Sequence, residues 1–267
     1  MMSIFECLDC QVLFAENYAK ERIEIYDGDY AAWHESNDGN ESQIAYAKKM
    51  AFKSQIMEIK NFVNLFGKRI LDVGTGNGYL LEALRELGCN SYGTEISSHS
   101  ARISEEKFPG KIFKGELKDA DYEAGFFDVI FLTDVLEHLS NPSGTILEIN
   151  RILKRGGFIF IISPNSGSIT RKILGKKWFQ YKYEHIFYFN KKSLENILDK
   201  NGFDLSKFKN NWKKFTLNYY YYYFKKYSFL KIGKLLNVIY PIIPRVMKNV
   251  PIPNFVTGEF LAIGKKR

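Results

Sequence analysis

From Arg69 onward, short apolar β-type runs alternate with helical patterns, and the first changeover passes through Leu71-Asp-Val-Gly-Thr-Gly-Asn-Gly78. Such alternation marks βαβ units, so it commits the chain to a parallel sheet with helices on its faces. The first strand is expected at 69–73, and its helix from Gly78 with Leu80, Leu81, Leu84 and Leu87 on one face and Gly88 as its stop. Further strands are expected at 91–95, 111–116 and 127–133, the last an almost unbroken apolar run that suits a central strand buried on both faces. A helix starts near Ser97 or Ser98 and runs to Phe108. Another, from Pro142 to Lys154, ends at Gly156-Gly157, which permit the turn into a strand at 158–163. A helix at 192–200 stopped by Gly202, a strand near 203–208 and a final strand near 259–264 complete the pattern, and 45–66 reads as a helix covering the sheet or its ligand.

Three glycines at alternate positions, Gly74, Gly76 and Gly78, sit between that first strand and its helix. Glycine there lets the backbone turn sharply and approach a ligand without Cβ interference, while a helix N-terminus offers free N–H groups to an anion. The dinucleotide motif G-x-G-x-x-G needs its last glycine where this chain has Tyr79, which points away from NAD. Glu95 closes the second strand, where a carboxylate can accept both hydroxyls of a ribose. Glu116 closes the third, where an acidic side chain can accept an adenine amino group while the Leu117 N–H serves a ring nitrogen; a polar loop with Lys118 and Asp119 is the equal alternative.

The 267 residues carry a formal charge of +8, unevenly placed: residues 1–170 hold 17 Lys+Arg against 25 Asp+Glu, and residues 171–267 hold 21 against 5. A basic C-terminal third suits an anionic partner, whether a phosphorylated substrate or an acidic membrane surface, although the bias toward Lys, Asn, Ile, Phe and Tyr that AT-rich codons impose would give the same excess. Nucleic acid is not expected, because no recognisable binding module is present. Three cysteines are too few for a disulfide framework, and Glu6 and Asp9 stand where a signal peptide needs positive charge, so a cytoplasmic protein is expected, with peripheral contact at the inner membrane face as the alternative. The apolar stretch 235–244 is far short of the ~20 residues a spanning helix needs.

The run ILDVGTGNG, then GTEIS, GEL, FDVIFLTDVLEHLSNP and EINRILKRGGFIFIISPN resembles the class I methyltransferases that use S-adenosylmethionine, in particular a bacterial subfamily of glycan-, lipid- and quinone-modifying enzymes with an LEH motif. The likeness covers residues 60–165 well, with a weaker echo in Tyr183-Glu-His-Ile-Phe-Tyr-Phe189 and in 194–203. It implies a Rossmann-like α/β fold whose seven-stranded, mostly parallel sheet has its last strand antiparallel. It also implies S-adenosylmethionine held by Asp72, Gly74, Thr75, Gly76 and Gly78 at its methionine end, by Glu95 and Ile96 at the ribose, by Glu116 and Leu117 at the adenine, and by Thr133 and Asp134 beneath the sulfonium. The acceptor implied is a small-molecule, sugar or lipid-linked hydroxyl, with a quinone or lipid methyltransferase at the membrane surface, or a non-catalytic S-adenosylmethionine-binding module, as alternatives.

A hydroxyl acceptor gains from a general base. His185, His138 and Asp134 are the candidates, with His185 placed ahead of His138 to face substrate because it follows the fifth strand; a structural histidine bonded to backbone is the alternative reading of either. No metal ligand is assigned. Cys7-Leu-Asp-Cys10 resembles the second half of a zinc ribbon, but a closed tetrahedral site needs four ligands, so residues 1–44 are read as a ribbon remnant packing as a hairpin ahead of a methyltransferase domain over 45–267. Tyr30 and Trp33 are candidate lid aromatics, and residues 212–253 a helical, basic and aromatic insertion. Lys pairs at 176/177, 213/214 and 225/226, interleaved with Trp178, Trp212 and Tyr227, could hold a phosphate while the rings pack on a sugar or lipid.

Overall fold

The computed structural model describes residues 3–16, 41–211, 214–218, 221, 239–248, 250–253 and 258–267. In chain order, β1 (Ile4–Glu6) and β2 (Leu13–Ala15) form a hairpin, and α1 (Glu41–Lys60) leads to β3 (Arg69–Val73), α2 (Tyr79–Arg85), β4 (Asn90–Glu95), α3 (Ser98–Lys107) and β5 (Ile112–Lys114). Next come β6 (Phe127–Thr133), α4 (Pro142–Ile152), β7 (Leu153–Pro164), α5 (Ile169–Leu174), β8 (Phe187–Tyr188), α6 (Lys191–Lys200) and β9 (Phe203–Asn211). The described remainder is β10 (Lys214–Thr216), α7 (Arg245–Lys248), β11 (Pro251–Pro253) and β12 (Glu259–Lys266).

Seven strands form the main sheet in the order β5-β4-β3-β6-β7-β12-β9. Pairings from β5 through β7 are parallel, and β12 runs antiparallel to both neighbours, β7 and β9. Side-chain alternation along the strands feeds two cores. Leu71, Ile130, Leu132, Ile159, Ile161 and Phe260 point to one, closed by Ile146 and Ile149 of α4 and Leu194 and Leu198 of α6. Ile70, Val129, Phe131, Phe160, Ile162 and Leu261 point to the other, closed by Ile56 and Ile59 of α1 and Leu80, Leu81 and Leu84 of α2. This is the expected sheet with helices on both faces, and the continuous apolar run of β6 follows from its burial on both sides.

Several boundaries moved for physical reasons. The strand expected to reach Glu116 ends at Lys114, because Gly115 takes φ 149° and turns the chain. The helix expected to run to Lys154 ends at Ile152, and β7 starts at once. The Gly156–Gly157 pair does serve a turn, within the span of β7: Gly156 takes φ 72°, the pairing with β6 passes from Leu153 to Phe158 through a register shift, and a Cβ on Gly157 would lie 2.9 Å from the backbone oxygens of both Lys154 in that turn and Asp128 in β6. The leading helix covers 41–60 rather than 45–66, so the expected domain boundary at residue 44 falls inside it.

The β1–β2 hairpin adds to β8, forming a three-stranded antiparallel sheet in which Leu13 packs with Trp178 and Tyr188. Much of the stretch read as a helical insertion lies outside the described residues; its ends pair as the two-stranded sheet of β10 and β11. Tyr30, Trp33, Trp212, Lys213, Lys225, Lys226 and Tyr227 also lie outside them. No described helix is long and apolar enough to cross a membrane.

Candidate active site

The chain builds the sheet outward from β3 through β4 to β5 and then returns to place β6 on the other side of β3. Neighbouring strands whose connections leave in opposite directions open a crevice beyond their carboxyl ends. The loops after β3 and β6 flank that crevice.

After β3, the amides of Gly74 and Thr75 both donate to Thr94 O, at 2.8 and 3.0 Å, and the Gly78 amide donates to Thr75 O at 3.0 Å. Gly74 has φ 72°, and a Cβ there would lie 2.6 Å from Cγ2 of Val135 in the loop after β6, so two constraints independently require glycine. Glu95 closes the arrangement: its Oε2 accepts from the Gly76 amide at 2.7 Å and its Oε1 from the Ser97 amide at 2.8 Å. The side chain expected to meet a ribose thus also sets the shape of the glycine loop.

Asp72 lies beneath the loop, and burial pushes its pKa up to about 8. Thr75 opposes that shift and the charge of Glu95 adds to it. Thr75 acts through proximity, since its buried hydroxyl makes no hydrogen bond of normal geometry. Asn77 is buried too, its Oδ1 without a hydrogen-bond partner among the described residues and its carbonyl accepting from Lys107 Nζ at 2.8 Å. Lys107 also pairs with Glu82 at 2.8 Å. Neither Asn77 nor Lys107 was singled out from sequence: the first carries no motif signal of its own, and the second lies 30 positions along the chain.

The remaining cofactor candidates divide by exposure. Ile96 is an exposed apolar side chain beside the Glu95 carboxylate. Leu117 is buried in the first core, and Glu116, exposed, is ion-paired with Lys118 at 2.9 Å. Thr133 is half-buried at the end of β6.

Asp134 follows with φ 56°, left-handed for a residue with a side chain, fixed by its amide donating to Ile162 O at 2.9 Å. It is exposed at the edge of the crevice. His185 is not: at 3% exposure it is buried, its Nδ1 2.8 Å from Gln180 O, so the expectation that it faces an acceptor more readily than His138 is corrected. The segment that carries it packs inward on the turn after β6, where the Ile186 amide donates to Glu137 O at 2.8 Å. His138 is half-buried, its Nδ1 3.0 Å from Glu184 O, and the two imidazoles meet edge to face with centroids 4.7 Å apart. Trp178 is likewise no open platform for a sugar, being 1% exposed.

A family model described as a methyltransferase domain matches residues 46–207. A ubiquinone biosynthesis O-methyltransferase from Thiobacillus denitrificans is 32% identical over 122 residues, 43% of this chain and 53% of that protein. Another from Dechloromonas aromatica is 34% identical over 130 residues, 45% and 55% of the two chains. The matches span about half the length of these curated relatives. Among solved structures, magnesium protoporphyrin IX methyltransferase from Synechocystis PCC 6803 with bound SAH superposes with a TM-score of 0.60 at 13% identity, covering 92% of this chain and 98% of that one. A SAM-dependent methyltransferase from Archaeoglobus fulgidus gives 0.56 at 19%, covering 82% and 94%. Both likenesses are of fold. With the glycine loop, the acidic strand end and the reversed strand β12 all in place, the chain belongs to the methyltransferase-domain family of class I, S-adenosylmethionine-dependent enzymes.

Proposed function

We propose that the protein transfers the methyl group of S-adenosylmethionine to a hydroxyl oxygen of a small-molecule acceptor held over the carboxyl ends of β3 and β6. The observation that carries this reading is the Glu95 carboxylate locking the glycine loop at the point where the strand order reverses, with Asp134 exposed on the adjoining strand end. The residues fit the cofactor. Glu95 would take the ribose hydroxyls, Ile96 and Leu117 would flank the adenine with Glu116 near its amino group, and the Gly74–Gly78 loop with Thr75 would carry the methionine end. Asp72, uncharged near neutral pH, would offer a proton rather than a second negative charge to the methionine carboxylate. When bound, S-adenosylmethionine supplies an electrophilic methyl on a positively charged sulfur. Asp134, beside Thr133, would accept the acceptor hydroxyl's proton as the C–O bond forms; positioning of the two reactants supplies much of the rest.

A sugar or lipid-linked acceptor bearing phosphate suits the basic C-terminal third, and a quinone or lipid acceptor at a membrane surface is the second reading. One observation favours the second: Ile169 and Ile173 on α5 are 73% and 77% exposed, with Lys172, Lys176 and Lys177 exposed beside them. Such a face suits an anionic bilayer.

Calorimetry with S-adenosylmethionine, its demethylated product and NAD tests the cofactor. Gly74→Val and Glu95→Ala should each weaken binding severely, and tight NAD binding with no response to S-adenosylmethionine would overturn the reading. Asp134→Asn should keep cofactor affinity while methyl transfer to phenol, quinol and sugar-phosphate acceptors falls by roughly 10²-fold or more.

A further inference from the structure

Cys7 and Cys10 stand in the turn of the β1–β2 hairpin, outside everything the proposed transfer uses. Two backbone bonds build that turn: the Gln11 amide donates to Cys7 O and the Cys7 amide to Val12 O, both at 2.9 Å. The first closes one helical turn that goes no further, in which side chains three positions apart are neighbours. Gln11 leaves it with φ 61°, a left-handed conformation uncommon for a residue with a side chain. Its carbonyl accepts from Asn190 Nδ2 at 3.1 Å, at the N-cap of α6, so the turn is anchored to the main body of the fold.

Both thiols are free and half-buried. The Cys10 amide, the Cys10 thiol and the Asp9 amide all aim their hydrogens at the Cys7 sulfur and hold its pKa below the ordinary thiol range, while burial holds Cys10 above it. Cys89 differs from both: its thiol donates to Leu65 O at 3.3 Å, and burial pushes it up to about 11. A sulfur that readily becomes a thiolate, touching a second that does not, is the arrangement of an attacking and a resolving cysteine. Side chains at this spacing have Cβ atoms about 5–6 Å apart and need a closure of about 1–2 Å to meet disulfide geometry. A metal would use the same sulfurs, but a closed tetrahedral site needs four ligands. Among the described residues no His, Cys, Asp or Glu joins the pair to make even three.

We infer that Cys7 and Cys10 are a redox-modification site, a dithiol that small disulfides of the glutathione class convert to an intramolecular disulfide and that small thiols restore. The Cys7 thiolate attacks one sulfur of oxidised glutathione, forming a mixed disulfide and releasing a glutathione thiolate, which takes up the proton that Cys7 gave up. Cys10 then loses its proton and attacks the Cys7 sulfur, and the second glutathione leaves as its thiol. In sum, two protein thiols and one oxidised glutathione become one protein disulfide and two reduced glutathiones. The bridge would stiffen a hairpin that holds the 186–188 segment, where the Ala15 amide donates to Ile186 O at 2.9 Å.

The test uses the full chain, with metal content measured before any chelator is added. The protein is then reduced, freed of reductant and incubated without oxygen in oxidised glutathione, with peptide mass spectrometry reading the product and timed iodoacetamide labelling each thiol. The expected product is a Cys7–Cys10 disulfide that excess reduced glutathione reverses, with Cys89 untouched and Cys7 labelled at least about tenfold faster than Cys89. Cys10→Ser should stop at the mixed disulfide on Cys7, and Cys7→Ser should slow the first step by about tenfold or more. Equal labelling of all cysteines, or no protein disulfide in a large excess of oxidised glutathione, overturns the site. Zinc retained in the purified protein at about half an equivalent or more per chain overturns it too, and assigns the sulfurs to an ion whose further ligands come from elsewhere or from a second copy.

Discussion

Asp72 keeps its proton to about pH 8 in the folded protein because its carboxyl group is enclosed beneath the glycine loop. In the unfolded chain the same group ionises near pH 4. Between those values the unfolded state binds fewer protons than the folded one, so this residue's stabilisation is fully present below about pH 4 and is lost as pH rises through about 8. Depressed carboxylates such as Asp128 and Glu82 act in the opposite sense, but at pH values below the ordinary carboxylate range. Melting temperature is therefore expected to fall from pH 5.5 to 8.5, and Asp72→Asn should flatten that slope; a variant as pH-sensitive as the wild type would show that the carboxyl is already ionised. Asp72, Gly74 and Glu95 were legible because each occupies a fixed place between a strand and a turn. The His138–His185 contact was not: one follows β6 and the other precedes β8, and sequence presents the two histidines as rivals for one role where folding makes them neighbours.

At the scale of elements, β3 and β6 begin and end where periodicity places them, since both are short apolar runs bounded by strong turn signals. The remaining edges depend on contacts that periodicity does not carry. Gly157 shows the difference: its residue type suggested a turn, and its requirement comes as much from the Asp128 carbonyl of β6 across the sheet as from the Lys154 carbonyl within that turn. Gly157→Ala should accordingly cost about 1–3 kcal/mol through forced separation of β6 and β7, read as a lowered denaturant midpoint at unchanged slope. An alanine variant of full stability would return the glycine to a turn-only role. The β1–β2 hairpin was foreseen as a packing element, but its partner β8 was not, because two residues are too short a strand to announce themselves.

For the whole molecule, the uneven charge is the feature that sequence shows most openly and interprets least. Sequence offers no periodic pattern or recognisable motif over 212–253 that would name an acceptor. Lys176→Glu with Lys177→Glu changes two exposed side chains beside the apolar face of α5. If the basic third meets an anionic surface, the double variant should retain cofactor affinity and lose binding to phosphatidylglycerol vesicles by about tenfold or more at low salt, with the loss shrinking as salt is added. Equal vesicle binding at low salt would assign the excess to codon bias. A different consequence follows from the position of β12. Its residues, 259–266, sit between β7 and β9, so the sheet pairs strands almost a hundred positions apart in sequence. Loop closure on that scale slows folding, and until it happens the outer edge of β7, with Phe158 to Ile162, presents unpaired backbone next to apolar side chains. During synthesis, the half of the sheet from β5 to β7 can assemble first and must wait with that edge open, which makes the interval before β12 arrives the time when this chain is most prone to associate with copies of itself.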